Sequence, residues 1–204
     1  ILDPEGGKLS KRKGNVSVEQ FLELGFLPEA ILNFVILLGW APKDNRELYS
    51  LDEFVAAFDP AGFQKSNPIL NSKKLDWFNG HYIRAKSDTE LLQLIKPYLP
   101  EITLEIIPLI KDRLTTLADA KSLAGFFFTR PAPQKGLNKE YLQAAAEAIE
   151  KGQDLAEIAK NKNWKLGDFF MNLRMAVCGS KITPPLTESM LILGKDETLA
   201  CLKF

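Results

Sequence analysis

The chain has 204 residues, which suits one large domain or two to three small ones. It is 46% hydrophobic and 25% charged, an ordinary globular composition, and no apolar run approaches the ~18 residues that a membrane span needs. Lys plus Arg balances Asp plus Glu at 26 each, so net charge announces no nucleic-acid binder, and any such surface must come from local sorting of charge.

The chain opens on Ile1 and Leu2, which read as the cut end of a strand, followed by the turn Asp3-Pro4-Glu5-Gly6-Gly7. A basic stretch, "KLSKRKGN", comes next, and after it nearly everything reads as helix. Ser17 with Gln20 makes a capping box, and Gly25 is a C-terminal stop. Pro28 suits a first helical position, with Ile31, Leu32, Val35, Ile36 and Leu38 expected on one broad buried face up to Gly39. Ser50 with Glu53 repeats the capping box, and Asp59-Pro60 ends that element. "KKLDWFNGHYIR" is a short helix with Leu75, Phe78 and Tyr82 in phase, and Ser87-Asp88 starts another.

Pro108 is expected to break or kink the long stretch from Thr103 to Phe128. Residues 130–138, "RPAPQKGLN", have no periodicity and read as a linker. Asn138 caps an Ala- and Glu-rich helix that ends at Gly152, and Asp154 caps the next. Apolar positions 166, 169, 170, 173 and 177 give a helix terminated by Gly179, and two short helices close the chain. The expected fold class is all-α, in three consecutive parts at 1–86, 87–136 and 137–204.

No n-region and h-region of a secretory leader are visible at the start. Two cysteines, Cys178 and Cys201, fit a reducing cytosol, so a cytoplasmic protein without a membrane partner is expected, and the sequon Asn15-Val16-Ser17 is discounted. His81 is the sole histidine and has no companions for a metal site or a triad, so no metal is expected and a structural or surface role is assigned to it. The two cysteines read as small buried apolar side chains. The runs at 126–128 and 169–170 read as core, with stacking on splayed bases as the alternative.

Lys8, Lys11, Arg12 and Lys13 crowd one short stretch. By composition it is a solvated loop, a phosphate clamp or, more weakly, a nuclear-localisation tract. Its text goes further. "KLSKR" resembles the Lys-Met-Ser-Lys-Ser signature of class I aminoacyl-tRNA synthetases, in the form found in glutamyl-tRNA synthetases. The text from Gly14 to Asp59, "KLDWFNGHYIR", and "FFMNLRMAVCGSKITPPLTESMLILGKDETLACL" resemble bacterial members of that family, so the likeness spans almost the whole chain. It is weaker between about residues 86 and 165.

The resemblance implies a signature loop and stem-contact region followed by a two-part helical anticodon-binding domain, the C-terminal portion of a synthetase starting just before the signature loop. It implies that Lys11, supported by Lys8, contacts the ATP phosphates as the catalytic pair, with Leu9, Ser10 and Arg12 completing the ATP-binding loop. Lysine suits a moving phosphate as a flexible point charge. The implied cofactor is ATP with Mg2+ in the full-length enzyme, none of it held tightly by this portion alone. The implied partners are the glutamate tRNA, and ATP and L-glutamate through an N-terminal Rossmann-type domain that nothing here resembles; charging of the glutamine tRNA as well stays open. A monomer is expected. Lys73, Lys74, Arg84, Arg113, Arg130 and Arg174 are the candidate tRNA-binding cations. Two rival readings are a stand-alone RNA-binding or scaffold protein without catalysis, and a glutaminyl synthetase, whose usual β-barrel C-terminal part the helical text disfavours.

Overall fold

Capping chemistry sets most of the helix boundaries. The structure, a computed structural model, describes Leu2 and residues 17–203. Among the described residues the fold is all-α, and the sole extended pairings are two isolated bridges, Leu2 with Ile69 and Trp40 with Phe63. The first runs parallel, closed by Leu2 N–H to the Pro68 carbonyl at 2.8 Å and Leu70 N–H to the Leu2 carbonyl at 3.0 Å. The strand-like start of the sequence is therefore paired at Leu2.

The chain forms two compact units, Ile1–Leu94 with Leu114–Asp119, and Ile95–Arg113 with Ala120–Phe204. In the first, α1 (Val18–Glu23) starts with the Ser17–Gln20 capping box, and α2 (Pro28–Gly39) carries proline in its first turn, as the sequence requires. α3 (Leu51–Ala57) starts with the Ser50–Glu53 box, α4 (Ser72–Ala85) with the Asn71 side chain, and α5 (Asp88–Ile95) with reciprocal Ser87–Glu90 bonds. α2 packs on α4 around Leu27, Ala30, Ile31, Phe34, Leu75 and Phe78, all buried.

The buried face of α2 differs from the one expected. Ile31 and Ile36 point inward, but Leu32 and Val35 are exposed, and Asn33 is wholly buried in their place. Asn33 is satisfied there: its amide donates to the Glu47 carbonyl at 2.7 Å, and its oxygen accepts from Tyr49 N–H at 2.8 Å and the Tyr82 hydroxyl at 2.7 Å. Three bonds to distant segments offset the desolvation that an unpaired amide would suffer. Asn79, on α4, is a second such hub. Its oxygen accepts from Leu27 N–H at 2.7 Å and its amide donates to the Thr115 carbonyl at 2.6 Å. Beside it Gly25 sits at φ 87°, where a Cβ would lie 2.7 Å from the Ala118 nitrogen, so its backbone conformation and its neighbours both require glycine.

In the second unit, α6 (Ile107–Ile110) holds Pro108 inside its first turn, where no intrahelical N–H is needed. Pro108 thus opens a helix rather than breaking one. α7 (Asp119–Ala124) follows, then residues 130–138 run without helix. α8 (Lys139–Lys151) is capped by Asn138 and closed by Gly152 in the left-handed region, and α9 (Leu155–Asn161) is capped by Asp154. α10 (Leu166–Cys178), α11 (Leu186–Leu193) and α12 (Lys195–Leu202) complete the chain. α8 packs on α9, α10 and α12 around a core that contains Leu142, Ala145, Phe169, Leu173, Val177 and Leu202. Burial pushes the Cys178 thiol up to about 11 and raises that of Cys201, consistent with two apolar core cysteines.

Candidate nucleic-acid interface

α4 presents its polar side to solvent as a stripe. Lys73, Trp77, His81 and Arg84 follow one another at helical spacing, so they share one face. Trp77 is 46% exposed, although tryptophan is a costly residue to leave in water, and the His81 ring stacks on it at 6.0 Å and 27°. Lys73 and Arg84 are exposed and have no partner among the described residues. Arg84 lies over Gly80, where a Cβ would approach its Nη1 to 2.9 Å, so the absent side chain makes room for the guanidinium. A flat aromatic pair flanked by two unpaired cations offers stacking to a base or ribose and charge to phosphates.

Behind the stripe the helix is anchored. Phe78 and Asn79 are buried, and Lys74 points sideways, its ammonium 2.6 Å from Glu47 and 5.8 Å from the Phe78 ring. Lys74 is thus held by an acidic neighbour, unlike Lys73. Burial, and then the Asp119 carboxylate, raises the Asp76 carboxyl from its ordinary value.

The second unit contains an open cavity of about 590 Å³ between the end of α8, the starts of α9 and α12, and the bodies of α10 and α11. Its lining includes Ile149, Leu155, Phe170, Met190 and Leu191 together with Gln153, Thr187 and Lys195. An apolar lining with a few polar groups is the usual make-up of a small-ligand pocket. Phe169 is buried in the core, and Phe170, half-buried and packed against the same core, also lines this cavity. Phe126 is likewise buried, and Phe128 is 37% exposed.

The remaining candidate cations differ in their freedom. Arg174, one turn after Phe170, uses Nη1 to grip the loop between α10 and α11, donating to the Thr183 hydroxyl and, at 2.9 Å, to the Pro184 carbonyl. Arg130 is in a two-point pair with Glu197, both contacts at 2.7 Å, which holds the Glu197 carboxyl below its usual range. Arg113 is exposed and makes one long contact, 3.4 Å, to the Leu109 carbonyl. Lys8, Leu9, Ser10, Lys11 and Arg12 lie outside the described residues. Among the described residues no three His, Cys, Asp or Glu side chains converge as metal ligands, and no helix is long and apolar enough to cross a membrane. Sequence reasoning did not single out Trp77; the available signal was Lys73, His81 and Arg84 at matching helical spacing on its face.

A helical chain with these surfaces matches two families. Residues 90–204 match the family described as "Anticodon binding domain", and residues 1–77 match "tRNA synthetases class I (E and Q), catalytic domain". The class of protein is therefore that of the class I aminoacyl-tRNA synthetases. Within it, the chain belongs to the glutamyl-tRNA synthetase family. It is 34% identical to a glutamate-tRNA ligase of Borreliella afzelii, covering 97% of this chain and 47% of that protein. It is 34% identical to glutamate-tRNA ligase 1 of Pseudothermotoga lettingae, covering 100% of this chain and 48% of that protein. A crystal structure of a glutamate tRNA ligase from Elizabethkingia meningosepticum in complex with its amino acid superposes with a TM-score of 0.77 at 29% identity, covering 99% of this chain and 49% of the other. The chain thus spans about half the length of the curated relatives it matches.

Proposed function

We propose that this chain is the RNA-reading portion of a cytoplasmic glutamate-tRNA ligase, which attaches glutamate to its tRNA through a glutamyl-adenylate made from ATP. The observation that carries the reading is the anticodon-binding family match over residues 90–204, adjoining a class I catalytic match over 1–77. In the full-length enzyme, attack of the glutamate carboxylate on the α-phosphorus of ATP expels pyrophosphate. Lys11 and Lys8 stabilise the charge that accumulates on the phosphates, with Leu9, Ser10 and Arg12 shaping the loop around the nucleotide and Mg2+ accompanying ATP. Residues 1–86 serve as loop and stem-contact part, and 87–136 and 137–204 as two halves of the anticodon-binding part. The glutamate tRNA is the RNA partner.

The cations that no carboxylate holds among the described residues are the ones expected to meet RNA: Lys73 and Arg84 beside the Trp77–His81 stack, and Arg113. Lys74 and Arg130 reach RNA by exchanging a carboxylate for a phosphate, and Arg174 by turning the part of its fork that Nη1 leaves unused. Removing Trp77 tests the stripe. Trp77→Ala is expected to weaken binding of glutamate tRNA about tenfold, the scale of one lost aromatic stacking contact. It should leave the salt dependence unchanged, because no phosphate charge is involved. Lys73→Ala with Arg84→Ala should instead reduce the log–log salt slope by about one to two. Titration of labelled tRNA at several salt concentrations separates the two effects, and wild-type binding by both variants would remove α4 from the interface.

A further inference from the structure

We propose that an apolar groove on the first unit is the docking surface for the remainder of the class I catalytic domain in the longer protein, an inference that rests on the synthetase reading above. The groove, about 340 Å³, runs between α2 and α3 and is lined by Val35, Trp40, Phe54, Val55, Phe58 and Phe63, among others. Its lining holds a continuous aromatic run: Trp40 meets Phe54 at 5.4 Å, Phe54 meets Phe58 at 5.4 Å, and Phe58 meets Phe63 at 5.6 Å, each edge to face. Its rim is exposed, with Val35 at 52%, Phe63 at 59% and Val55 at 67%. The only polar side-chain group in the lining, the Trp40 indole N–H, is already bonded to the Asp59 carbonyl at 2.9 Å.

A groove of this kind has nothing to offer RNA, whose backbone is held by cations and hydrogen-bond donors. Contiguous apolar surface is the mark of a face that another polypeptide covers. What covers it follows from where the groove lies. Every lining residue, from Val35 to Phe63, falls within the stretch 1–77 that matches a class I catalytic domain. About half the length of the matched relatives lies outside the region they share with this chain. The groove thus lies in the part of the chain that carries the catalytic-family match, and the chain spans about half the length of the matched relatives. α3 explains the placement: the Ser50–Glu53 capping box fixes its start, and the Arg46–Glu53 pair at 2.5 Å holds the preceding loop, so Val55 and Phe58 are turned outward by a rigid element.

Thiol labelling reads this directly. Val55→Cys and Phe63→Cys are placed in the groove, and Ile182→Cys, 75% exposed and outside the catalytic match, is the reference. Each is made in this chain and in the full-length synthetase that contains it, and labelled with a maleimide in the absence of RNA. The expected result is at least tenfold slower labelling of both groove cysteines in the longer protein, with the reference unchanged. Equal rates in the two proteins would overturn the proposal. So would protection that appears in this chain alone as its concentration rises, because a second copy would then be the occupant. Backbone hydrogen exchange of α3 in the two unsubstituted proteins gives the same comparison without any substitution. Charging of glutamate tRNA by the same full-length sample reports on the synthetase reading separately, so an active enzyme with an unprotected groove would sink this inference alone.

Discussion

Asn79→Ala is expected to destabilise the first unit by about 3 kcal/mol or more, from the loss of two short buried hydrogen bonds and the desolvation of the groups left behind. Leu27 N–H loses its acceptor at 2.7 Å, and the Thr115 carbonyl loses its donor at 2.6 Å. Leu27 is 2% exposed, so water does not replace the lost acceptor without opening the core. The cost is larger than that of a surface cap because one side chain joins three separate stretches of chain: the turn before α2, α4 itself, and the segment Leu114–Asp119. Asn71→Ala, which removes an exposed helix cap on the same helix, should cost only about 1 kcal/mol. Urea unfolding of the two variants provides the comparison, and equal small losses would show that Asn79 is not a hub.

The second large effect belongs to chemistry. In the full-length synthetase, Lys11→Ala is expected to slow glutamyl-adenylate formation by ~100-fold or more, the scale of removing one contact to charge that develops in the transition state. Its binding of tRNA should change little, because the lysine is proposed to act on ATP and not on RNA. Lys11→Arg should recover only part of the rate, since a planar guanidinium does not reproduce a compact ammonium that follows a moving phosphate. Glutamate-dependent exchange of pyrophosphate into ATP measures the step, and an unchanged exchange rate in Lys11→Ala would reject the role.

What was legible in the sequence was mostly local. Ser17 and Ser50 cap helices as their spacing to Gln20 and Glu53 predicts, and Asn138 and Asp154 as their residue type predicts, because the capping bond spans only two or three residues. Gly152 and Gly179 stop helices in the left-handed conformation for the same local reason. The inward turn of Asn33 was not legible, since its partners Glu47, Tyr49 and Tyr82 are supplied by tertiary structure and periodicity alone favours the neighbouring Leu32 and Val35. The site divides in the same way. Family text marks the signature loop, but which cations are unpaired depends on contacts such as Arg130 with Glu197, 67 positions apart. Lys73 and Lys74, adjacent in sequence, part company because only Lys74 falls beside Glu47.

The neutral balance of charge, 26 against 26, argues for RNA recognition by a few placed groups and not by a broad electrostatic field. The most direct measurement is therefore titration of this chain with glutamate tRNA and with the same tRNA carrying a swapped anticodon, at several salt concentrations. Weak binding is predicted, falling with salt along a shallow line of about −0.7 per phosphate neutralised in single-stranded contacts. The swap should lower affinity without changing the slope, because bases supply choice while phosphates supply position. Equal affinity for the two tRNAs would contradict the account.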